Sequence, residues 1–324
     1  MSYEECCRVV DQIAEYAPLI LVLSGGEPLW RRDVFDIAKR AASKNMRVAL
    51  ATNGTLVDDA MAERIKDAGI ARVSISLDGA DRATHDAFRG EAGAFDAAVA
   101  GLKHLRALGI STQINTSVAQ HNVDQLPDIL KLAQRLGADA FHIFLLVPVG
   151  CGLTIAEDQT IRGEKYEAVL NWFYDRSLDS GLELKATCAP HYYRILRQRR
   201  AEARRAGEAV PELATHGMHA TTRGCLAGSG VCFVSHEGKV YPCGYLPVAA
   251  GDLRKERFRD IWEKAEVFAA LRDPNRLEGK CGLCEFRFVC LGCRARAYGM
   301  TNDYLAEEPF CIYQPGGSKL DAAI

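Results

Sequence analysis

Short apolar runs rich in β-branched residues recur through the first half of the chain, at residues 19–23, 47–51, 72–77, 112–118 and 141–147. Between them lie stretches whose apolar positions follow the helical period, at 34–44, 58–68, 95–108 and 123–136. These stretches end at Asn45, Gly69, Gly109 and Gly137, residues that accept the left-handed backbone of a helix C-terminus. Apolar strands alternating with amphipathic helices predict a parallel sheet covered by helices. A repeat of roughly 25–35 residues suits a (β/α) barrel or a doubly wound sheet, and periodicity does not choose between them. A helix over 164–180 and a strand over 182–185 close this region. An arginine-rich helix is predicted over 193–206, carrying Arg194, Arg197, Arg199, Arg200, Arg204 and Arg205. The polar stretch 207–222 reads as a linker. The last part, from Arg223, contains a predicted hairpin at 233–241 and a short helix at 258–271.

Polar and glycine residues gather where the first three strands end: Ser24-Gly25-Gly26-Glu27-Pro28, Thr52-Asn53-Gly54-Thr55 and Ser76-Leu77-Asp78-Gly79. That edge of a parallel α/β sheet is where active sites are built. The chain has 324 residues, 48% of them hydrophobic and 25% charged, with a net charge of −2, so it carries no basic footprint for nucleic acid. No apolar run reaches the ~18 residues of a membrane span. The start, MSYEECCRVVDQ, lacks the basic and apolar stretches of a signal peptide, which points to the cytoplasm. In that compartment the twelve cysteines are better explained by metal than by disulfides. Eight of them fall in the last hundred residues: Cys225, Cys232, Cys243, then Cys281, Cys284, Cys290 and Cys293, then Cys311. Eight thiols divide into two four-thiolate sets, each fit for a structural zinc or a [4Fe–4S] cluster.

SGGEP, ATNGT, SISLDG and HDAFRG, in this order and spacing, resemble the radical S-adenosylmethionine (SAM) enzymes, and the C-terminal cysteines resemble their SPASM extension, which carries auxiliary iron–sulfur clusters. The resemblance covers essentially the whole chain. VPVGCG, TCAPHYYR, TRGCLAGSGVCFVSHEGKVYPCGYLP and CEFRFVCLGCRARAYGMTNDYLAEEPFCIYQP are similar to the heme-biosynthetic branch, whose members act on tetrapyrroles in heme b or d1-type heme formation. Peptide-modifying maturases share the architecture, and a non-radical iron–sulfur electron carrier or binding protein is a third possibility. Two departures stand out. Two residues, where the family has three, separate Cys290 from Cys293. The family's Cys-x3-Cys-x2-Cys, which holds the SAM cluster, is absent. Only 24 residues precede Gly25, and Cys6 and Cys7 are adjacent. The resemblance therefore implies an N-terminally truncated barrel lacking its first strand and cluster loop, inactive alone and with an exposed, apolar sheet edge. It implies a barrel domain at 1–186, a connecting segment at 187–222 and a SPASM domain at 223–324.

The resemblance implies SAM and one or two auxiliary [4Fe–4S] clusters as cofactors. Gly25, Gly26 and Glu27 would meet the methionyl amine, and Ser76 and Arg89 the methionyl carboxylate. Asn53 and Asp78 would contact SAM or order the loops, and Asn115 would lie near the ribose. Left to the residues alone, Arg89 is equally a partner for Asp86 or Glu91, and Asn53 and Asp78 are turn formers. By resemblance, one cluster would use Cys225, Cys232, Cys243 and Cys293, and the other Cys281, Cys284, Cys290 and Cys311. Two zinc sites are the competing reading. Cys188, His191 and Tyr192 would lie near a substrate, where they would ligate its iron, relay a proton or quench a radical, or else simply pack. Cys151 is a further thiol at a strand tip. The arginine-rich helix would either face porphyrin propionates or be solvated. The implied reaction removes a propionate β-hydrogen, then CO2 and one electron, leaving a vinyl group. A ferredoxin or flavodoxin would supply electrons, and no nucleic acid or membrane partner is expected.

Overall fold

The structure, a computed structural model, describes residues 1–16, 19–210 and 223–316. Most of the expected linker, residues 211–222, lies outside the described residues, as does the side chain of Cys151. A six-stranded sheet runs in sequence order: β1 (Ile20–Leu23), β2 (Arg47–Thr52), β3 (Ile70–Ser76), β4 (Ser111–Val118), β5 (Ala140–Leu145) and β6 (Glu183–Thr187). β1 through β4 pair in parallel, with Leu23 opposite Leu50, Thr52 opposite Ile75 and Ser76 opposite Asn115. The helices between and around them are α1 (Tyr3–Tyr16), α2 (Val34–Ser43), α3 (Asp59–Asp67), α4 (Arg82–Arg89), α5 (Ala94–Ala107), α6 (Leu126–Arg135), α7 (Ala156–Gln159), α8 (Gly163–Ser177) and α9 (His191–Arg205). The α/β class expected from the pattern is the one found. β2, β3 and β4 are buried along almost their whole length, with α2 packed on β2, α3 and α5 on β3, and α5 on β4. β1 lies at the edge and leaves Ile20 and Val22 43% and 54% exposed, which meets the expectation of an uncovered apolar edge.

Local chemistry sets the helix ends. Asp58 and Asp81 accept the amide protons of Met61 and Thr84 at 2.7 and 2.9 Å, capping α3 and α4. Gly90 closes α4 in the left-handed region at φ 68°. α2 turns Val34, Phe35, Ile37, Ala38 and Ala41 into the core, and α5 turns in Ala98, Gly101, Leu102 and Leu105.

The remaining elements are a three-stranded sheet of β7 (Phe233–Val234), β8 (Lys239–Tyr241) and β9 (Gly251–Asp252), followed by α10 (Phe258–Lys264), α11 (Glu266–Arg272), α12 (Gly279–Leu283) and α13 (Arg294–Thr301). The single helix expected over 258–271 is two helices, because Ala265 is extended at φ −63° and ψ 128°. The chain forms two compact units. One comprises residues 1–143, 234–240 and 251–263; the other comprises 144–233, 241–250 and 264–324. Segments 234–240 and 251–263 join the first unit through specific contacts. Gln12 Oε1 accepts the Phe258 amide at 2.8 Å, the Tyr16 and Phe258 rings meet edge to face, and Arg254 pairs with Glu5 at 3.0 Å.

Within α5, a Cβ on Gly101 would stand 2.4 Å from the Gly54 carbonyl oxygen. Alanine in a helix interior ordinarily gains about 1 kcal/mol over glycine. Overpacking against rigid backbone costs about 1–3 kcal/mol, and here it wins. Gly101→Ala is expected to lose about 1 kcal/mol or more in urea denaturation, whereas a gain would show that Gly54 yields freely.

Candidate functional site

At the C-terminal ends of β1–β4 the expected residues come together through side chain–backbone bonds. Glu27 Oε1 accepts from the Thr52 hydroxyl at 2.7 Å and the Leu29 amide at 3.1 Å, and its Oε2 accepts from the Asn53 amide at 2.8 Å. Glu27 thus staples the tip of β1 to the tip of β2. Gly25 has φ 142°, which favours glycine, and Cβ atoms at Gly25 and Gly26 would meet nothing within 4 Å, so this corner is open. Asn53 Oδ1 accepts from the amide and hydroxyl of Thr55, both at 2.9 Å, which is the turn-forming role. Ser76 and Asn115 are register partners on β3 and β4, and Asn115 Oδ1 accepts from Gln113 Nε2 at 2.7 Å.

Asp78 has no exposed side-chain surface and pairs with Arg89. This replaces the expected Arg89 partners, since Asp86 instead accepts the amides of Gly93 and Phe95 at the start of α5, both at 2.8 Å. The other Asp78 oxygen accepts from the Ser117 amide at 2.7 Å. Asn122, which the sequence gave no reason to single out, donates to the carbonyls of Asp78 and Ser117, both at 2.9 Å. Gly79 is required for space, because a Cβ there would lie 2.6 Å from the His85 nitrogen.

The cysteines lie in the second unit. Cys281, Cys284, Cys290 and Cys311 line one cavity, whose wall also includes Phe286, Leu291, His191, Arg194, Lys280 and Glu308. Between Cys290 and Cys293 stand Leu291 and Gly292, both left-handed at φ 66° and 60°. A Cβ on Gly292 would lie 2.4 Å from Arg294 Nη2 and 3.3 Å from Cys281 Sγ. Burial pushes the Cys284 thiol up to about 11, and it carries Cys290 well above its ordinary value. The other expected thiols are Cys225, Cys232, Cys243 and Cys293. Burial raises Cys243 to about 11, with Cys225 contributing; it raises Cys293 to about 12, where Arg296 opposes the rise and Glu308 and Cys225 add to it. Cys232 is raised to about 11 by burial alone. Cys6 is buried and Cys7 half-buried on α1.

Charged residues that sequence reasoning missed hold this region together. Arg296 and Glu308 are fully buried and paired at 3.2 Å. Arg296 Nη2 donates to the carbonyls of Cys188 at 2.9 Å and of Leu145 and Leu146 at 3.3 Å. Glu308 accepts from the Cys293 amide at 2.8 Å, and its own amide donates to Cys281 Sγ at 3.3 Å. Burial acts to raise the Glu308 pKa, but Arg296 and His191 outweigh it and hold it below the usual value. The available signal was the placement of charges within the cysteine segments, Arg294 and Arg296 just after Cys293 and Glu308 just before Cys311.

His191 is 1% exposed, 3.9 Å from Glu308 and stacked obliquely on Tyr166, and burial lowers its pKa to about 3. Tyr192 packs edge-on against Phe173 and Tyr193. Tyr192 therefore fills a packed position, while His191 also lines the cavity of Cys281, Cys284, Cys290 and Cys311. Arg194 is not solvated as a surface helix would leave it. Glu167 takes it bidentately at 2.8 and 2.6 Å, and it lies over the Tyr313 ring. Arg199 pairs with Asp175 at 2.8 Å.

His85 accepts the Asp78 amide on Nδ1 at 3.0 Å, so its ring is neutral, and burial holds its pKa below the ordinary 6.5. The unfolded chain binds this proton first. The histidine's contribution is therefore constant above pH ~6.5 and is lost as pH falls toward the folded value, with a slope of at most about 1.4 kcal/mol per pH unit. His85→Phe is expected to flatten the stability profile relative to the parent chain below that pH in urea titrations; parallel profiles would overturn this reading.

Comparison with known proteins places these features. Residues 1–157 match the radical SAM superfamily, and residues 225–285 match the SPASM iron–sulfur cluster-binding domain. An AdoMet-dependent heme synthase of Methanosarcina barkeri is 50% identical over 316 residues, covering 98% of this chain and 88% of the relative. A pre-heme d1 synthase of Dinoroseobacter shibae is 33% identical, covering 94% and 76%. In fold, the chain is similar to native anSMEcpe with bound AdoMet and Cp18Cys peptide, with a TM-score of 0.68 at 18% identity over 96% of this chain and 86% of that one. With an open strand-tip corner in one unit and eight cysteines gathered in the other, the chain belongs to the radical SAM superfamily, among those members that carry a SPASM iron–sulfur domain.

Proposed function

We propose that this chain is a radical SAM enzyme of tetrapyrrole biosynthesis, acting oxidatively on the propionate side chains of an iron porphyrin. The observation that carries the reading is the 50% identity to a heme synthase along nearly the whole chain. An electron donor of the ferredoxin or flavodoxin class and a reducing, cytoplasmic setting suit a protein with this many free thiols. Among the described residues no helix is long and apolar enough to cross a membrane.

At the strand tips, the proposed roles follow from charge. The Glu27 carboxylate, already fixed by three neutral donors, offers its oxygen lone pairs to the ammonium group of SAM. The Ser76 hydroxyl and the Arg89 guanidinium serve its carboxylate, since the pair with Asp78 does not exhaust the five N–H donors of arginine. Asn53 and Asp78 act by holding the loops, and Asn115 faces the ribose from beside Ser76. SAM itself supplies a 5′-deoxyadenosyl radical when an iron–sulfur cluster cleaves it reductively. The cysteines within these 324 residues do not fit that cluster, because no Cys-x3-Cys-x2-Cys is present.

The auxiliary sites do fit iron and sulfide. Their donors are all sulfur, and Cys281, Cys284, Cys290 and Cys311 ring a cavity. Arg194, Lys280 and Arg287 in the cavity wall offset the negative charge of four thiolates.

Anaerobic reconstitution of the 324-residue chain is expected to yield about eight irons, with matching sulfide, in two auxiliary clusters. Because these 324 residues carry no Cys-x3-Cys-x2-Cys, reductive SAM cleavage by them alone is expected to be absent. Zinc binding without iron would remove the redox reading. Titration with an iron porphyrin bearing propionates is expected to shift the Soret band saturably; no shift, with a ribosomal precursor peptide bound instead, would overturn the tetrapyrrole assignment.

A further inference from the structure

The geometry points to His191 as a hydrogen-bond donor to the iron–sulfur cluster of Cys281, Cys284, Cys290 and Cys311: a ring N–H of His191 meets a sulfur of that cluster and raises its reduction potential. This inference rests on the iron–sulfur reading above.

His191 lines the same cavity as those four cysteines and is 1% exposed. Among the described residues neither of its ring nitrogens meets a hydrogen-bond partner. Buried polar groups are ordinarily satisfied, so two orphaned nitrogens on one side chain single it out. An imidazole carries at least one N–H in either charge state, so what it needs is an acceptor. Its polar neighbours are otherwise engaged. The Glu308 carboxylate stands 3.9 Å away, beyond hydrogen-bond reach, and accepts instead from Arg296 and from the Cys293 and Phe310 amides. The Tyr166 ring meets the imidazole at 5.0 Å, and the Tyr166 hydroxyl donates to the Cys188 carbonyl. Arg194 and Lys280, which share the cavity wall, are donors only. Sulfur is the acceptor that this cavity supplies, and its sulfurs already draw donors. Cys281 Sγ accepts from the Glu308 amide at 3.3 Å and from Arg294 Nη2 at 3.8 Å.

The backbone holds the ring where it stands. His191 is the first residue of α9, directly after Pro190. Three residues earlier, Cys188 is left-handed at φ 55°, and its carbonyl accepts from Arg296 at 2.9 Å and from the Tyr166 hydroxyl at 3.3 Å. A Cβ on Gly224 would lie 2.8 Å from Pro190 Cβ and 2.0 Å from the Cys290 oxygen, so glycine there lets the start of α9 approach the segment that carries Cys290. The imidazole is thus placed by the fold at the wall of the thiol cavity. An N–H aimed at cluster sulfur spreads the negative charge that reduction adds, which is one of the ways a protein sets a cluster's potential. Removing the donor therefore lowers that potential.

The test uses the full chain, reconstituted anaerobically, as His191→Phe, His191→Gln and His191→Asn variants, with iron content and an EPR-monitored redox titration as readouts. Cys284→Ala identifies the EPR species of this cluster by removing it. All three histidine variants are expected to keep about eight irons per chain. His191→Phe is expected to lower the potential of that one species and to leave the other unchanged. The side-chain NH2 of glutamine or asparagine can still donate, and at least one of the two is expected to return the potential toward the parent value. With the histidine nitrogens isotopically labelled, pulsed EPR of the reduced parent is expected to show a weak nitrogen coupling in the same species, absent from His191→Phe. An unchanged potential in His191→Phe overturns the inference, as does an equal fall in all three variants, which marks a packing effect. Loss of about four irons in His191→Phe, or a strong nitrogen coupling in the parent, also overturns it, because the histidine is then an iron ligand or a prop of the fold. Zinc in place of iron in the parent chain removes the iron–sulfur reading itself, and the inference falls with it.

Discussion

The second unit depends on one buried ion pair. Arg296 and Glu308 have no exposed side-chain surface, and charges so placed are costly unless hydrogen-bonded; the two Nη atoms of Arg296 are met, while its Nε has no partner among the described residues. Arg296 meets carbonyls at 145, 146 and 188 as well as the Glu308 carboxylate, and that carboxylate receives the Cys293 and Phe310 amides. A single guanidinium thus gathers segments that are more than a hundred residues apart in sequence. The cysteines ride on those segments. Substituting an apolar pair of like volume could preserve packing, but it would release the carbonyl of Cys188 and the amide of Cys293 together.

The first unit uses a different economy. Its strand tips are tied by side chains that accept or donate to backbone, not by buried ion pairs of that kind. Thr116 donates to the Leu77 carbonyl at 2.6 Å, Asn122 binds the Asp78 and Ser117 carbonyls, and Asp78 accepts from Ser117. Such bonds fix loop shape around a corner where Cβ atoms at Gly25 and Gly26 would meet nothing within 4 Å. Asp78 is the exception, and its pairing with Arg89 sets where that guanidinium stands.

The sheet was legible because strands buried on both faces write continuous apolar runs, and β2, β3 and β4 lie within a residue or two of where those runs placed them. The polar tips were legible for a related reason, since glycine and short polar residues have few other uses at the end of a buried strand. What escaped is what depends on partners distant in the chain. Arg194 reads as one more charge on a cationic helix until Glu167 is seen opposite it. The break at Ala265 has no proline or glycine to announce it. Segments 234–240 and 251–263 join the first unit through Gln12, Tyr16 and Glu5, residues with no local signature. Spacing divided the eight C-terminal cysteines only into two fours; which thiol belongs to which set was implied by the resemblance alone.

Glu27 carries a consequence for how this corner can change in sequence. Its two oxygens both receive donors, from Thr52 and Leu29 on one side and Asn53 on the other. Glutamine would turn an NH2 group toward one of those donors, and aspartate is a methylene too short to reach them all. The carboxylate is therefore fixed by architecture before any ligand arrives. Loss of function in a Glu27 variant would report a displaced β2 tip and a missing anion at once, so drift at this position is constrained twice by a single side chain.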